Sequence, residues 1–225
     1  VTRTGVLFDV DGTLVDTAYI HAVCWSRALE QNGFHRPTSV VHRAVGMGAE
    51  RLVTSVLGED LPSEELEAVV AAHAVLYAEW HSRVRAFDSA ADLVRACAVR
   101  GLVVVLASSA GEHELAVLRG ALGADDAIDV ATSSDDAAAS KPAPDILAAA
   151  LERADLTPDS AVFVGDAVWD VEACRRIGMP CVGVECGGTS SRGELLAAGA
   201  AEVWRDPSDL LAHLEDSAVG RLIGR

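Results

Sequence analysis

The 225-residue sequence predicts a doubly wound α/β protein: a parallel β-sheet with helices on both faces, interrupted by one all-helical insertion. Three observations predict it. Short Val-rich apolar runs bounded by turn residues recur along the chain, and most do not alternate with polar residues, as expected of strands covered on both faces. Helix-period stretches separate these runs, as right-handed strand–helix–strand crossovers require. One long interval, residues 17–85, holds helical periodicity and no strand-like run.

The elements follow in order. GVLFDV at 5–10 is the first strand. The insertion comes next, punctuated at Gly33, Pro37, Gly46, Gly48, Gly58 and Pro62. Within it, Pro62 and Ser63, with Glu65 and Glu67 in the turns that follow, mark a helix start. Beyond it the expected helices lie near 88–100, 112–122, 143–153, 168–178, 191–198 and 207–214. The strands between them are LVVVLASS at 102–109, AIDVAT at 127–132, AVFVGD at 161–166, CVGVE at 181–185 and a weaker one at 201–204. Residues 135–140 read as a loop, and 216–225 as a loose tail or a small contact segment. This partition implies a Rossmann-like core of residues 1–16 and 86–225 and a helical domain of residues 17–85.

Composition narrows the partners. A net charge of −16 argues against nucleic acid and acidic membranes, and no apolar segment approaches the length of a bilayer span. The five cysteines are odd in number, scattered and without a Cys-x-x-Cys pair, so reduced thiols in the core of a cytoplasmic protein are expected. Oligomeric state is not written in the sequence. The chain has 17 arginines and a single lysine, Lys141. A lone lysine in that background marks a place where arginine does not serve.

In open α/β sheets, ligands sit beyond the carboxyl ends of the strands, and four of the expected strand ends are polar. The first carries Asp9-x-Asp11-Gly12-Thr13. In extended backbone, side chains two apart point the same way, so the two carboxylates repel unless a hard cation or a proton intervenes. The second carries Ser108 and Ser109, hydroxyls suited to phosphate oxygens or to capping a helix. The third is SKPAPD at 140–145, which holds Lys141, a compact point charge able to bridge a carboxylate and a phosphate. The fourth is Gly165-Asp166 with Asp170 four residues on. With Asp9 and the backbone near Asp11, Asp166 and Asp170 make an oxygen-donor set of the kind Mg²⁺ favours.

Together these motifs resemble those of the haloacid dehalogenase superfamily, over almost the whole chain. Asp9 to Thr13 looks like its first motif, Ser108 its second, Lys141 its third, and Gly165-Asp166-x-x-x-Asp170 its fourth. The insertion resembles the family's small helical cap. The resemblance implies a Mg²⁺-dependent phosphomonoester hydrolase acting through an aspartyl-phosphate. Asp9 would be the nucleophile, and Asp11 the acid and base, with a pKa raised relative to Asp9. Lys141 and Mg²⁺ would neutralise charge, and Thr13, Ser108 and Ser109 would bind the phosphate. Asp9, Asp11, Asp166 and Asp170 would form the metal site, and the substrate would be a small phosphorylated metabolite such as a sugar phosphate or phosphoglycolate.

In the cap, Gly46 and Gly48 lie in a loop flanked by Arg43 and Arg51, which would reach over the substrate, while Trp169 would face the cap. Three rivals fall within the superfamily. The presence of Asp11 argues against carbon–halogen cleavage, and a cap without lysine argues against carbon–phosphorus cleavage. The third, a phosphosugar mutase, is favoured by DTAYIHAVCW at 16–25, where His21 matches a histidine of beta-phosphoglucomutase. Gly165 before Asp166, and the missing cap lysine, favour the hydrolase. A non-enzymatic phosphate-binding or receiver-like module would be shorter, without an insertion, or would have lost one of the acids.

Overall fold

The computed structural model describes residues 3–137 and 139–223. Its centre is a six-stranded, all-parallel sheet in the order β3-β2-β1-β4-β5-β6. The strands are β1 (Gly5–Phe8), β2 (Val103–Ala107), β3 (Val130–Thr132), β4 (Ala161–Gly165), β5 (Cys181–Val184) and β6 (Glu202–Trp204). This is the doubly wound, Rossmann-like arrangement, with β1 central and the order reversing beside it.

The unbroken apolar runs are explained by the two faces. Val6, Phe8, Val104, Leu106, Val162, Val164, Val182 and Val184 point into one core, against α5 (Ala90–Val99), α6 (Glu112–Leu122) and α10 (Pro207–Ala212). The alternate residues Leu7, Val103, Val105, Phe163 and Cys181 point into the other, against α7 (Asp145–Ala154), α8 (Val168–Ile177) and α9 (Arg192–Ala198). Both residues of each successive pair are buried, so no polar residue is tolerated between them.

Helices α1 (Ala18–Gln31), α2 (Thr38–Ala44), α3 (Ala49–Leu57) and α4 (Ser63–Ala78) gather a third cluster that includes Trp25, Leu29, Val41, Leu52, Val53 and Val69. Two chain segments connect these helices to the sheet, and they run side by side. Asp16 N–H donates to Arg85 O at 2.9 Å, and Phe87 N–H donates to Leu14 O at 2.9 Å. Cys24 and Tyr77 carry the helical layer into the core of the sheet's first face.

One expectation needs correction, and one open alternative is decided. The segment 127–132 is a strand only from Val130; Asp125–Ala127 forms a 3₁₀ turn, and the Asp129 carboxylate accepts from Val104 N–H at 2.8 Å where a longer ladder would have run. The end of the chain is a contact segment and not a loose one. Ser217, Val219 and Leu222 are buried in the first core, and Thr4 Oγ1 donates to Leu222 O at 3.3 Å. The last two residues of that expected tail, 224 and 225, lie outside the described residues. All five cysteines are free thiols, four of them buried. Among the described residues no helix is long and apolar enough to cross a membrane.

Because Leu222 is 4 % exposed, Leu222→Ala should remove about 2–5 kcal/mol of stability. Urea unfolding of the variant against the parent checks this; an unchanged midpoint would mean the segment is dispensable.

Candidate active site

The site forms where β1, β2 and β4 end. Asp9 follows Phe8, the last residue of β1, and its N–H donates to Val164 O at 2.9 Å. Ser108 follows β2, and Asp166 follows β4. Lys141 rises from the loop between β3 and α7 and is fully buried, its ammonium 5.1 Å from the centre of the Phe163 ring. Its Nζ donates to Asp9 Oδ1 at 2.6 Å and lies 2.8 Å from Asp170 Oδ1.

Asp170, in the first turn of α8, also accepts from Ala167 N–H at 3.1 Å. Gly165 makes this approach possible, since a methyl group there would strike the Asp170 carboxyl. Asp166 is held by two hydroxyls, Thr13 at 3.3 Å and Thr189 at 2.8 Å. Gly12, at φ 76°, turns the chain against the Asp166 carboxylate, in a left-handed conformation and with no room for a side chain.

Asp9, Asp166 and Asp170 bring carboxylate oxygens within 4.8 Å of one another, and their residues are 3 %, 1 % and 0 % exposed. One ammonium stands against three buried acids. The consequence appears in the acids themselves. Burial lifts Asp9 well above the usual carboxylate range; Lys141 opposes this, and the charges of Asp170 and Asp166 add to it. Burial, with Asp170 adding to it, pushes Asp166 up to about 7. For Lys141, burial works against the charge, but Asp170 and Asp9 outweigh it and hold the ammonium firmly protonated. An excess of buried, hard oxygen donors over cations fits a divalent metal ion.

Asp11 stands apart from this group. β1 ends at Phe8 and the chain bends, so the two carboxylates of the first motif do not share one direction. Asp11 Oδ1 accepts from Thr17 Oγ1 at 2.7 Å and lies 3.2 Å from His21 Nε2. Burial alone would raise Asp11, but the His21 hydrogen bond and charge, with Thr17, pull it below its ordinary value. This reverses the expected order, in which Asp11 was the acid with the higher pKa. The reason is partnership: Asp11 has donors around it, whereas Asp9 shares one lysine with two other acids. The Asp11 side chain is therefore not part of the acidic cluster, and only its backbone remains to serve a metal there.

The remaining expected residues divide. Ser108 is buried, and its Oγ accepts from Ala110 N–H at 3.0 Å; Ser109 lines the cavity above. Arg51 lines an outer continuation of that cavity. Arg43 is not brought to the site; it forms an exposed ion pair with Glu194, because α2 lies over the start of α9. Trp169 does face the helical layer, its Nε1–H donating to Arg43 O at 3.3 Å.

Four further residues carry the arrangement. Glu114 Oε1 lies 3.4 Å from His21 Nε2, and His73 Nε2 lies 3.2 Å from His21 Nδ1. Thr17 and Thr189 hold Asp11 and Asp166. A hydroxyl after the fifth strand, in the Gly187-Gly188-Thr189 turn, follows the same strand-end logic as the others. Glu114 and His73 lie within helices, and no spacing relates them to His21.

Carboxylates, hydroxyls and a buried ammonium collected at the carboxyl ends of a parallel sheet, beneath a helical layer, make the polar site of an α/β enzyme. The family model for haloacid dehalogenase-like hydrolases matches residues 4–178, and the chain belongs to that family. A hydrolase from Pseudomonas syringae has the same structure at a TM-score of 0.90, with 32 % identity, covering 96 % of this chain and 100 % of that one. The phosphoglycolate phosphatase of Pseudomonas putida is 28 % identical over 223 residues, 96 % of this chain and 81 % of the relative. That of Escherichia coli is 29 % identical over 210 residues, covering 81 % of each. CbbY from Rhodobacter sphaeroides, solved with phosphate, shares the fold at a TM-score of 0.75 and 24 % identity, over 93 % of this chain and 96 % of its own.

Two outcomes follow from the buried charges. Lys141→Met leaves Asp9 and Asp170 without their cation and should cost about 3–5 kcal/mol in urea unfolding. His73 is kept neutral by burial and by the charge of His21, with its pKa driven down to about 2. The unfolded chain takes up this proton below about pH 6.5 and the native state does not, so the His73 contribution weakens stability as pH falls from about 6.5. By pH 5 this amounts to roughly 2 kcal/mol. The stability difference between pH 7 and pH 5 should therefore shrink in His73→Gln; an unaltered difference would show that His73 does not titrate in this way.

Proposed function

We propose that the protein hydrolyses small phosphate monoesters in two steps, with Asp9 as nucleophile and Mg²⁺ as the required cation. The observation that carries this reading is the Lys141-bridged group of Asp9, Asp166 and Asp170, set beside a cavity of about 490 Å³ that Asp9 and Asp11 help to line. The phosphoglycolate phosphatases among the relatives support phosphatase chemistry, and the size of the cavity supports a small metabolite.

In the first step an Asp9 carboxylate oxygen attacks phosphorus, and the bond to the leaving oxygen breaks. The Asp11–His21 pair holds one proton between Oδ1 and Nε2, and Asp11 passes it to that oxygen, so the leaving group departs as an alcohol. In the second step water attacks the phosphorus of the aspartyl-phosphate, Asp11 takes the water's proton, and inorganic phosphate departs with Asp9 restored. Thr17 and His21 hold Asp11 in place for both transfers. Lys141 keeps Asp9 oriented and offsets the charge that gathers when a carboxylate meets a phosphate. Ser108 and Ser109 offer hydroxyls to the phosphoryl oxygens, and Thr13 anchors Asp166. Asp9, Asp166 and Asp170, with backbone at Asp11, would hold Mg²⁺, which neutralises phosphate charge when bound. Residues 17–85 act as the cap that excludes bulk water.

The contact between His21 and Asp11 favours the mutase as a second reading. A single assay separates the two. Phosphate release from a panel of monoesters should need Mg²⁺, stop with chelator, and vanish in Asp9→Asn. Asp11→Asn should slow it about 10²–10⁴-fold. Metal-independent release, or release retained by Asp9→Asn, overturns the reading. Glucose 6-phosphate formed from beta-glucose 1-phosphate with a bisphosphate activator, without net phosphate release, would establish the mutase instead.

A further inference from the structure

We infer that the leaving group this enzyme prefers is uncharged or cationic and rich in hydrogen-bond donors, a polyol or an amino alcohol, and that a carboxylate-bearing leaving group is disfavoured. The inference rests on the phosphatase reading and adds the chemistry of the group attached to the phosphate.

With the phosphate at Asp9, the rest of the substrate extends into the remaining cavity. The inner cavity continues into an outer one of about 520 Å³, and the two share Met47, Glu50, Ser109, Ser134 and Ser140. The polar groups at that junction are one carboxylate and three hydroxyls. A second acid, Glu114, stands in the inner wall beside His21 and Asp11. A hydroxyl or ammonium finds acceptors at each of these places. A carboxylate meets like charge at Glu50 and at ionised Glu114, and only the serine hydroxyls can donate to it there.

All but one of the cations that would reverse this balance are committed elsewhere. Lys141 is held between Asp9 and Asp170. Arg43 lies outside the lining and pairs with Glu194. His21 is bound through Nε2 to Asp11, with Glu114 beside it, and faces His73 through Nδ1. Among the described lining residues, Arg51 is the one guanidinium or ammonium, and it shares the outer cavity with Glu50 and Asp60. The phosphoglycolate phosphatases named above act, by that name, on a phosphate whose leaving group carries a carboxylate. The walls of this cavity set Glu50, Asp60 and Glu114 against the single guanidinium of Arg51.

Three monoesters with a common two-carbon skeleton test the inference with the full chain and Mg²⁺: 2-hydroxyethyl phosphate, phosphoethanolamine and 2-phosphoglycolate, with p-nitrophenyl phosphate as the control for phosphatase chemistry. Hydroxyethyl phosphate or phosphoethanolamine should exceed phosphoglycolate by about 10-fold or more in kcat/KM. The better of the two identifies the polyol or the amino alcohol as the natural chemistry. Glu50→Gln should narrow the gap by lowering KM for phosphoglycolate more than for the hydroxyethyl ester. Phosphoglycolate equal to or better than both others overturns the inference while leaving the phosphatase reading intact. No Mg²⁺-dependent release from any of the four, the aryl ester included, defeats the phosphatase reading and the inference with it.

Discussion

The ammonium of Lys141, sealed between Asp9 and Asp170, is the interaction around which the rest of the site is organised. Removing three carboxylates from water costs several kcal/mol each unless they are paired, and one cation pairs with them only in part. The surrounding chain supplies what is missing. Thr13 and Thr189 donate to Asp166, the N–H of Ala167 donates to Asp170, and Gly12 and Gly165 remove the side chains that would keep these groups apart. A guanidinium would not fit this place. Lys141 has no exposed surface and presents a point charge over the Phe163 ring, whereas a planar fork needs room for five donors. That is a physical reason for one lysine in a chain that otherwise uses arginine 17 times.

The first motif divides between two electrostatic environments. Asp9 stays with the acids and their cation, while Asp11 turns to Thr17, His21 and Glu114. Two residues apart in sequence, they enter different environments because the strand ends at Phe8, before either of them. In the proposed mechanism one carboxylate is thereby kept for bond formation and the other for the proton. The stack of Trp25, His73 and Tyr77 around His21 fixes the second environment, with ring centroids of 3.8 Å for Trp25–His73 and 4.1 Å for His21–Tyr77.

How much of this was legible follows from the range of each signal. The sheet could be read because both faces are buried, which writes each strand as a local run of valines. The four polar strand ends could be read because a parallel sheet places them on one rim whatever the loop lengths. The pairing of His21 with His73, and of His21 with Glu114, could not, since it depends on how α1, α4 and α6 cross. The split of Asp9 from Asp11 was missed for a different reason: a two-residue spacing points side chains together only while the backbone stays extended, and here it does not. Arg43 failed as a site residue on distance, because a long side chain on α2 reaches Glu194 before it reaches the cavity.

The contacts between the helical layer and the sheet are uneven, and the unevenness bears on access. Near the paired connections the joint is apolar and deep, through Cys24 and Tyr77. On the far side it consists of the exposed Arg43–Glu194 pair, the Trp169 bond to Arg43 O, and Gly48 resting on Ser140. Exposed ion pairs contribute about 0–1 kcal/mol, so that side of the joint is held less firmly than the apolar side. Of the residues at this edge, Gly48 and Ser140 also line the inner cavity, and Ser140 lies at its junction with the outer one. The cavity wall thus meets the weakly held edge where Gly48 rests on Ser140, so a change at either residue alters both the lining and the joint between the helical layer and the sheet.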